Sequence, residues 1–436
     1  MNEENILLLM ICEERLISIV KNAVREEMVE LKKAESQFSN LVTLGVFLIT
    51  LVFVIITLTS AIFPNLLLTS FGGNENYANI DPFEMGIWAS PLLITNLIIF
   101  GLTILYWKKR LPSQLTSLFK FIFNFEVSAK IAFFVITILI GLYIIFSVGE
   151  LFDGKFQPDY DVRVKDWIEN FSFTKIDNDN FNSPGLGGYL HVMFGVISIK
   201  VFDNVQAIPF LASISLLVLT YFITFEIAKK RFAGIVALVI VLLSGVFLHY
   251  DTGITYPNFW ILFYLFSLYL IYKKWPASPI SFVISILTKI MTVAFLPMTL
   301  FFIYRASIPK RNKISLVILY GVIVGFGVFY FVNSSTGDFE FDSHDFWAGF
   351  NAISNSLRFD PLVILFMLPL IVGLFFKSRN GFREADSIIF LILGMLLSAI
   401  FLPAFSDAID VPYRFIPLVI FFAMGVGMLL SKKVTE

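Results

Sequence analysis

The chain has 436 residues, of which 57% are hydrophobic and only 15% charged, with a formal net charge of −1 and a mean hydropathy of +0.82. That composition excludes a water-soluble domain, and a near-neutral chain has no electrostatic claim on nucleic acid or on an acidic partner. A single cysteine, Cys12, cannot form an internal disulfide, so redox compartment is not indicated.

Residues 1–40 read as an amphipathic cytoplasmic arm. Glu3, Glu4, Glu13 and Glu14 flank a short apolar stretch that lacks a small-residue cleavage site, which argues against a signal peptide. Leu16, Ile19, Val20, Ala23 and Val24 then fall at helical spacing with charged residues between them. Beyond the arm come continuously apolar runs, each long enough as a helix for a hydrocarbon core of roughly 30 Å, which needs about 20 residues. They lie near 41–60, 89–107, 129–148, 207–227, 233–250, 257–273, 276–289, 290–304, 314–332, 359–376, 387–403 and 413–430. The expected fold is therefore an all-α integral membrane protein of about twelve transmembrane helices, not a barrel, whose strands would alternate. Three parts are expected: the arm, an accessory two-helix segment with its inner loop over 41–127, and a transmembrane core over 128–436. Within that core, 149–206 forms an outer-face loop carrying juxtamembrane helices.

Basic residues set the orientation, because they are retained on the cytoplasmic side. Lys108 to Arg110, Lys229 to Arg231, Lys273 and Lys274, Arg305 to Lys313, Lys377 to Arg383, and Lys432 and Lys433 fall at alternate loops, whereas 61–90 contains no Lys or Arg. A multi-pass protein of the cell membrane with both ends cytoplasmic satisfies this pattern, provided that Gly187–Val201 lies along the outer face instead of crossing. Its glycines, His191 and Lys200 suit an interfacial position.

Polar chemistry concentrates on that outer face. The loop from Glu150 to Pro184 is rich in carboxylates, and Asp159 and Asp161 sit in a Pro-Asp-Tyr-Asp turn just before an amphipathic stretch through Val164, Trp167, Ile168 and Phe171. A carboxylate fixed there can accept a proton from a hydroxyl, or simply cap the helix. Lys289 interrupts a long apolar stretch, Arg358 precedes a span, and Arg414 begins the last one. A buried lysine in a membrane marks a function unless it snorkels to the interface, and an arginine there can grip a phosphate bidentately. His191, His249 and His344 are too scattered for a metal site, and no metal or separate cofactor is expected.

In order and spacing these features resemble the GT-C superfamily of polyprenyl-phosphate-sugar-dependent glycosyltransferases, above all the protein O-mannosyltransferase and aminoarabinose-transferase branch. The resemblance runs from about Ile131 to the C-terminus. It rests on Asp159-Tyr160-Asp161, Ser183-Pro184-Gly185-Leu186, the basic loop Ala228 to Gly234, Leu287-Thr288-Lys289 with Phe295-Leu296-Pro297, and Pro412-Tyr413-Arg414-Phe415-Ile416-Pro417. Where those enzymes carry Asp-Glu this chain has Asp-x-Asp, Ser183 replaces a proline, and Pro209 stands where they carry an arginine, which leaves Arg358 or Lys200 to supply that charge.

What the resemblance implies is an inverting, mannosyltransferase-like enzyme that moves a sugar from a polyprenyl-phosphate carrier to a lipid, glycan or protein acceptor at the outer face. Asp159 or Asp161 would be the general base; Lys289 and Arg414, with Arg358, Pro184 and His191, would hold the lipid phosphate. The rival expectations are a transporter or flippase for a lipid-linked or amphipathic solute, and a non-catalytic membrane scaffold.

Overall fold

The computed structural model describes residues 37–67, 81–152, 164–173, 188–254, 258–334, 341–404 and 412–431. The expected arm up to residue 36 lies outside them, and residues 37–40 belong to the first helix. The described residues form helices and turns, with no strand among them.

Among the described residues six helices are long and apolar enough to cross a membrane: α1 (Gln37–Ile62), α2 (Ala89–Trp107), α4 (Ala129–Ser147), α7 (Ala207–Ala228), α15 (Pro361–Arg379) and α16 (Glu384–Ala404). A short helix, α3 (Ser113–Asn124), connects α2 to α4. Several of the other expected spans are apolar but shorter or broken. The run 233–250 divides into α8 (Arg231–Leu242) and α9 (Gly245–Tyr250), because Ser244 takes an extended conformation and caps α9 through the amide of Phe247. The runs 276–289 and 290–304 become α11 (Ser278–Thr288), a 3-10 segment (Ile290–Phe295) and α12 (Leu296–Arg305), with Lys289 extended at the break between them. At a rise of about 1.5 Å per residue, none of these pieces alone reaches across the hydrocarbon layer. The stretch 187–201 forms α6 (Tyr189–Phe202), 14 residues and too short to span. The amphipathic stretch before it yields the five-residue α5 (Lys165–Glu169).

The remaining helices are α10 (Asn258–Lys273), α13 (Lys310–Ser334), α14 (Ser343–Leu357), which sequence periodicity did not predict, and α17 (Ile416–Leu429). α17 is the centre of the bundle: 12 of its 14 residues are buried, the expected state for a helix that is apolar on every face. It packs on α7, α8, α15 and α16, while α10 joins α7 to α11. Glycines permit the closest approaches. A Cβ on Gly427 would lie 2.6 Å from Thr224 Cγ2 and 2.7 Å from the Ala233 carbonyl, and one on Gly234 would lie 2.8 Å from the Tyr221 carbonyl. α2 and α4 instead expose Leu97, Ile98, Phe133, Phe134, Ile145 and Phe146, as helices at the lipid boundary do.

One end of the bundle, here the base, collects the start of α1 and α16 and the ends of α7, α12, α15 and α17. Arg305 and Asp386 form a buried ion pair there at 2.9 Å, and Asp386 also bonds Thr43 of α1 at 2.9 Å. Arg305 donates to the hydroxyl and carbonyl of Ser39, so the first helix is fastened to the core. Phe47 stacks on Phe375 at 4.1 Å, and Asn96 of α2 reaches the Leu365 carbonyl of α15. Glu226 pairs with Lys229 and Lys273, and Lys377 donates to the carbonyls of Leu429 and Ser431. The other end, the top, carries the candidate site.

Candidate functional site at the top of the bundle

Lys289 is placed by a break in the backbone. α11 ends at Thr288, Lys289 is extended at φ −157° and ψ 114°, and the chain resumes as the 3-10 segment. Hydroxyls tie the end of α11 to its neighbours: Ser285 Oγ donates to the Trp260 carbonyl of α10 at 2.7 Å, and Thr288 Oγ1 to the Ser285 carbonyl at 2.6 Å. The Lys289 amide closes on Ser285, and the Lys289 carbonyl accepts from the Thr292 amide. A lysine is thus held half-buried where the helix stops, not along a helix face that faces lipid.

His191, in the first turn of α6, faces it. The imidazole packs edge-on against Phe259 at 5.8 Å and hydrogen-bonds the backbone of Ile254. Burial, and then the nearby Lys289 ammonium, hold the imidazole at a pKa of about 4, against a weaker upward pull from the Ile254 bond. The ring is neutral at physiological pH, its one N–H is taken up by the Ile254 backbone, and the ammonium supplies the charge.

The seat of α6 is built by the short helix before it. Val164 is buried with Ala212, Ile254 and Phe259, and Trp167, Ile168 and Phe194 pack around them. A Cβ on Gly195 would fall 2.7 Å from Ile168 Cδ1, so a glycine there lets α5 lie close on α6. Lys200, near the other end of α6, sits over Phe173 at 5.4 Å.

The Ile254 loop is held by a residue that sequence reasoning did not single out. Asp251 is fully buried, its carboxylate accepting from Ser147 Oγ at 2.9 Å. Its carbonyl accepts from Ser213 Oγ at 2.6 Å and from Asn258 Nδ2 at 2.9 Å. Beside it Thr252 donates to Glu150 at 3.2 Å, joining this loop to the end of α4. The signal available in sequence was a lone acidic residue ending an apolar run.

Arg414 and Arg358 flank α9. Arg414 lies half-buried on the 3-10 turn Pro412–Phe415, which packs on α9, with Tyr413 against Tyr250 at 5.7 Å. Arg358 is exposed and lies over Phe359 at 5.0 Å. Two residues on, Asp360 caps α15 through the Val363 amide and accepts the Ser244 hydroxyl that caps α9. Burial raises its carboxyl pKa, against the lowering pull of those bonds. The structure thus brings His191 and Lys289 near each other and sets the turn that carries Arg414 against the helix that leads into the Ile254 loop, while Arg358 stays exposed on Phe359. Asp159, Asp161 and Pro184 lie outside the described residues.

Chemically, a half-buried ammonium near a neutral imidazole that packs edge-on against Phe259 suits an anion carried on an apolar body. No family model, curated protein or solved structure matches this chain.

Proposed function

We propose that this protein is an inverting glycosyltransferase that takes a sugar from a polyprenyl-phosphate carrier at the outer face of the membrane. The observation that carries the reading is the nearness of the Lys289 ammonium to the neutral His191 ring, which packs on Phe259 at the top of the bundle. The orientation is supported by the cations Lys229, Lys230, Arg231, Lys273, Arg305, Lys377 and Arg383, which gather at the base as cytoplasmic residues would.

In this reading the lipid phosphate rests on Lys289, beside the neutral ring of His191, with Arg414 approaching from the α9 side. Asp159, or Asp161, takes the proton of the acceptor hydroxyl or amine. The freed electron pair attacks the anomeric carbon from the side opposite the phosphate, the bond from that carbon to the phosphate oxygen breaks, and the charge developing on the leaving phosphate is met by the fixed cations. Configuration inverts because there is one displacement.

Undecaprenyl phosphate, added to the purified full chain in detergent, tests the phosphate site. A charge-assisted contact of about 1.5–3 kcal/mol predicts roughly 10- to 100-fold weaker binding in Lys289→Gln. Unchanged affinity in that variant overturns the phosphate assignment. Transfer from a polyprenyl-phosphate sugar should then vanish in the double variant Asp159→Asn, Asp161→Asn while undecaprenyl phosphate still binds. Transfer by the double variant overturns the base assignment.

A further inference from the structure

The connection between α2 and α4 has chemistry that glycosyl transfer does not use. α3 is 12 residues long, about 18 Å at helical rise, and none of its residues is buried. Leu115, Leu118, Phe119, Phe121, Ile122 and Phe123 fall on one broad face when wound at 100° per residue. Ser113, Thr116, Ser117, Lys120 and Asn124 fall on the other. The apolar face is open: Leu118, Phe121 and Phe123 are 50%, 62% and 49% exposed.

Two attachments fix where this helix lies. α2 ends at Trp107, itself 86% exposed, and α4 begins at Ala129, so α3 has both ends tied to membrane-crossing helices at the same bilayer surface. The buried Lys230 ammonium also donates to the Phe123 carbonyl at 2.8 Å, and the Arg231 amide to Glu126 Oε1 at 3.0 Å. These bonds hold the end of α3 at the level where α7 turns into α8.

The charge around α3 has one sign. Lys108, Lys109 and Arg110 precede it, Lys120 lies on its polar face, and Lys130 follows, all exposed. Glu126 is the single acidic residue between Trp107 and Ile131, and it is engaged by the Arg231 amide. An amphipathic helix in the membrane plane with five exposed cations along it fits anionic phospholipid: acyl chains take the apolar face and headgroups meet the lysines. We infer that α3 is an in-plane helix that seats in the bilayer surface and gathers anionic phospholipids around the α2–α4 connection.

Trp107 reports on this directly. The full chain is reconstituted in vesicles of phosphatidylcholine with a one-fifth share of phosphatidylglycerol, with bromines carried either by all the phosphatidylglycerol or by an equal amount of the phosphatidylcholine. Quenching of Trp107 is the difference between the wild-type chain and Trp107→Phe. Local enrichment predicts about twofold stronger quenching by brominated phosphatidylglycerol, given how strongly each surface cation attracts anionic lipid. The excess should shrink in high salt, an arm that requires no further variant, and in Lys120→Gln, Lys130→Gln, which leaves the basic run after α2 in place. Equal quenching by the two brominated lipids overturns the headgroup preference. No quenching by either means that protein, such as a second copy of the chain, covers α3, and overturns the inference outright.

Discussion

Arg305 and Asp386 lie 2.9 Å apart with neither side chain open to solvent, and together they tie the end of α12 and the start of α16 to Ser39 and Thr43 of α1. Removing one partner strands the other. Arg305→Met should cost about 3–5 kcal/mol, read from thermal or denaturant unfolding in detergent. Replacing both, as Arg305→Met with Asp386→Leu, should recover most of the loss, because the Thr43 hydroxyl keeps its bond to the Ser39 carbonyl at 3.0 Å. Equal stability of Arg305→Met and the wild type would show that the pair does not hold α1.

Two helical glycines should respond oppositely to alanine. Gly427 faces backbone at 2.7 Å, so Gly427→Ala should destabilise by about 1–3 kcal/mol through overpacking of α17 on α7 and α8. A Cβ at Gly141 of α4 meets nothing within 4 Å, and Gly141→Ala should be neutral or gain up to about 1 kcal/mol of helix propensity. Melting curves of both variants in the same detergent decide the matter.

His191 should stay neutral well below the usual imidazole range. With a folded pKa of about 4 and an unfolded value near 6.5, the unfolded chain binds more protons between those limits. Stability contributed by the neutral ring is therefore complete above about pH 6.5 and declines as pH falls toward about 4. Ring-labelled histidine NMR can follow this, since the chain has only three histidines and single substitutions assign them. Lys289→Gln should move the His191 midpoint upward; an unmoved midpoint would separate the two side chains.

Asp360 serves two helix starts. Asp360→Ala should cost about 1–2 kcal/mol, from the lost cap on α15 and the hydroxyl of Ser244 left without its acceptor. Asparagine also caps helices and does not bear the cost of a buried charge that raises this carboxyl. Asp360→Asn should thus retain stability near neutral pH, where the ionised aspartate is at its least favourable. A loss in Asp360→Asn equal to that in Asp360→Ala would argue against capping as the role.

Long apolar helices were legible because burial on all sides, or against lipid, needs nothing but continuous hydrophobicity. The run at 207–227 corresponds almost residue for residue to α7. The break at Lys289 was legible as the boundary between the runs 276–289 and 290–304, but the one at Ser244 was not, because a single serine in an apolar run shows nothing until Asp360 accepts its hydroxyl. α3 was not predicted, because its 12 residues are too few to cross the bilayer and lie between two runs that do. For the site, sequence singled out Lys289 and His191 separately. The resemblance put both in one phosphate-holding set, but their approach depends on how α6 docks on α11, which spacing along the chain does not give. Asp251 was invisible for the same reason: a lone carboxylate says nothing until Ser147, Ser213 and Asn258 surround it.

The fastening of α1 also bears on how the protein is made. Ser39 and Thr43 enter the bilayer early in synthesis, yet Arg305 and Asp386, which complete their bonding, emerge from the ribosome only after most of the chain has been translated. Until then the polar end of α1 lacks these two partners. Nascent chains halted before Arg305 should leave it loosely held and within reach of insertion chaperones, so the last third of the polypeptide governs when the first helix comes to rest.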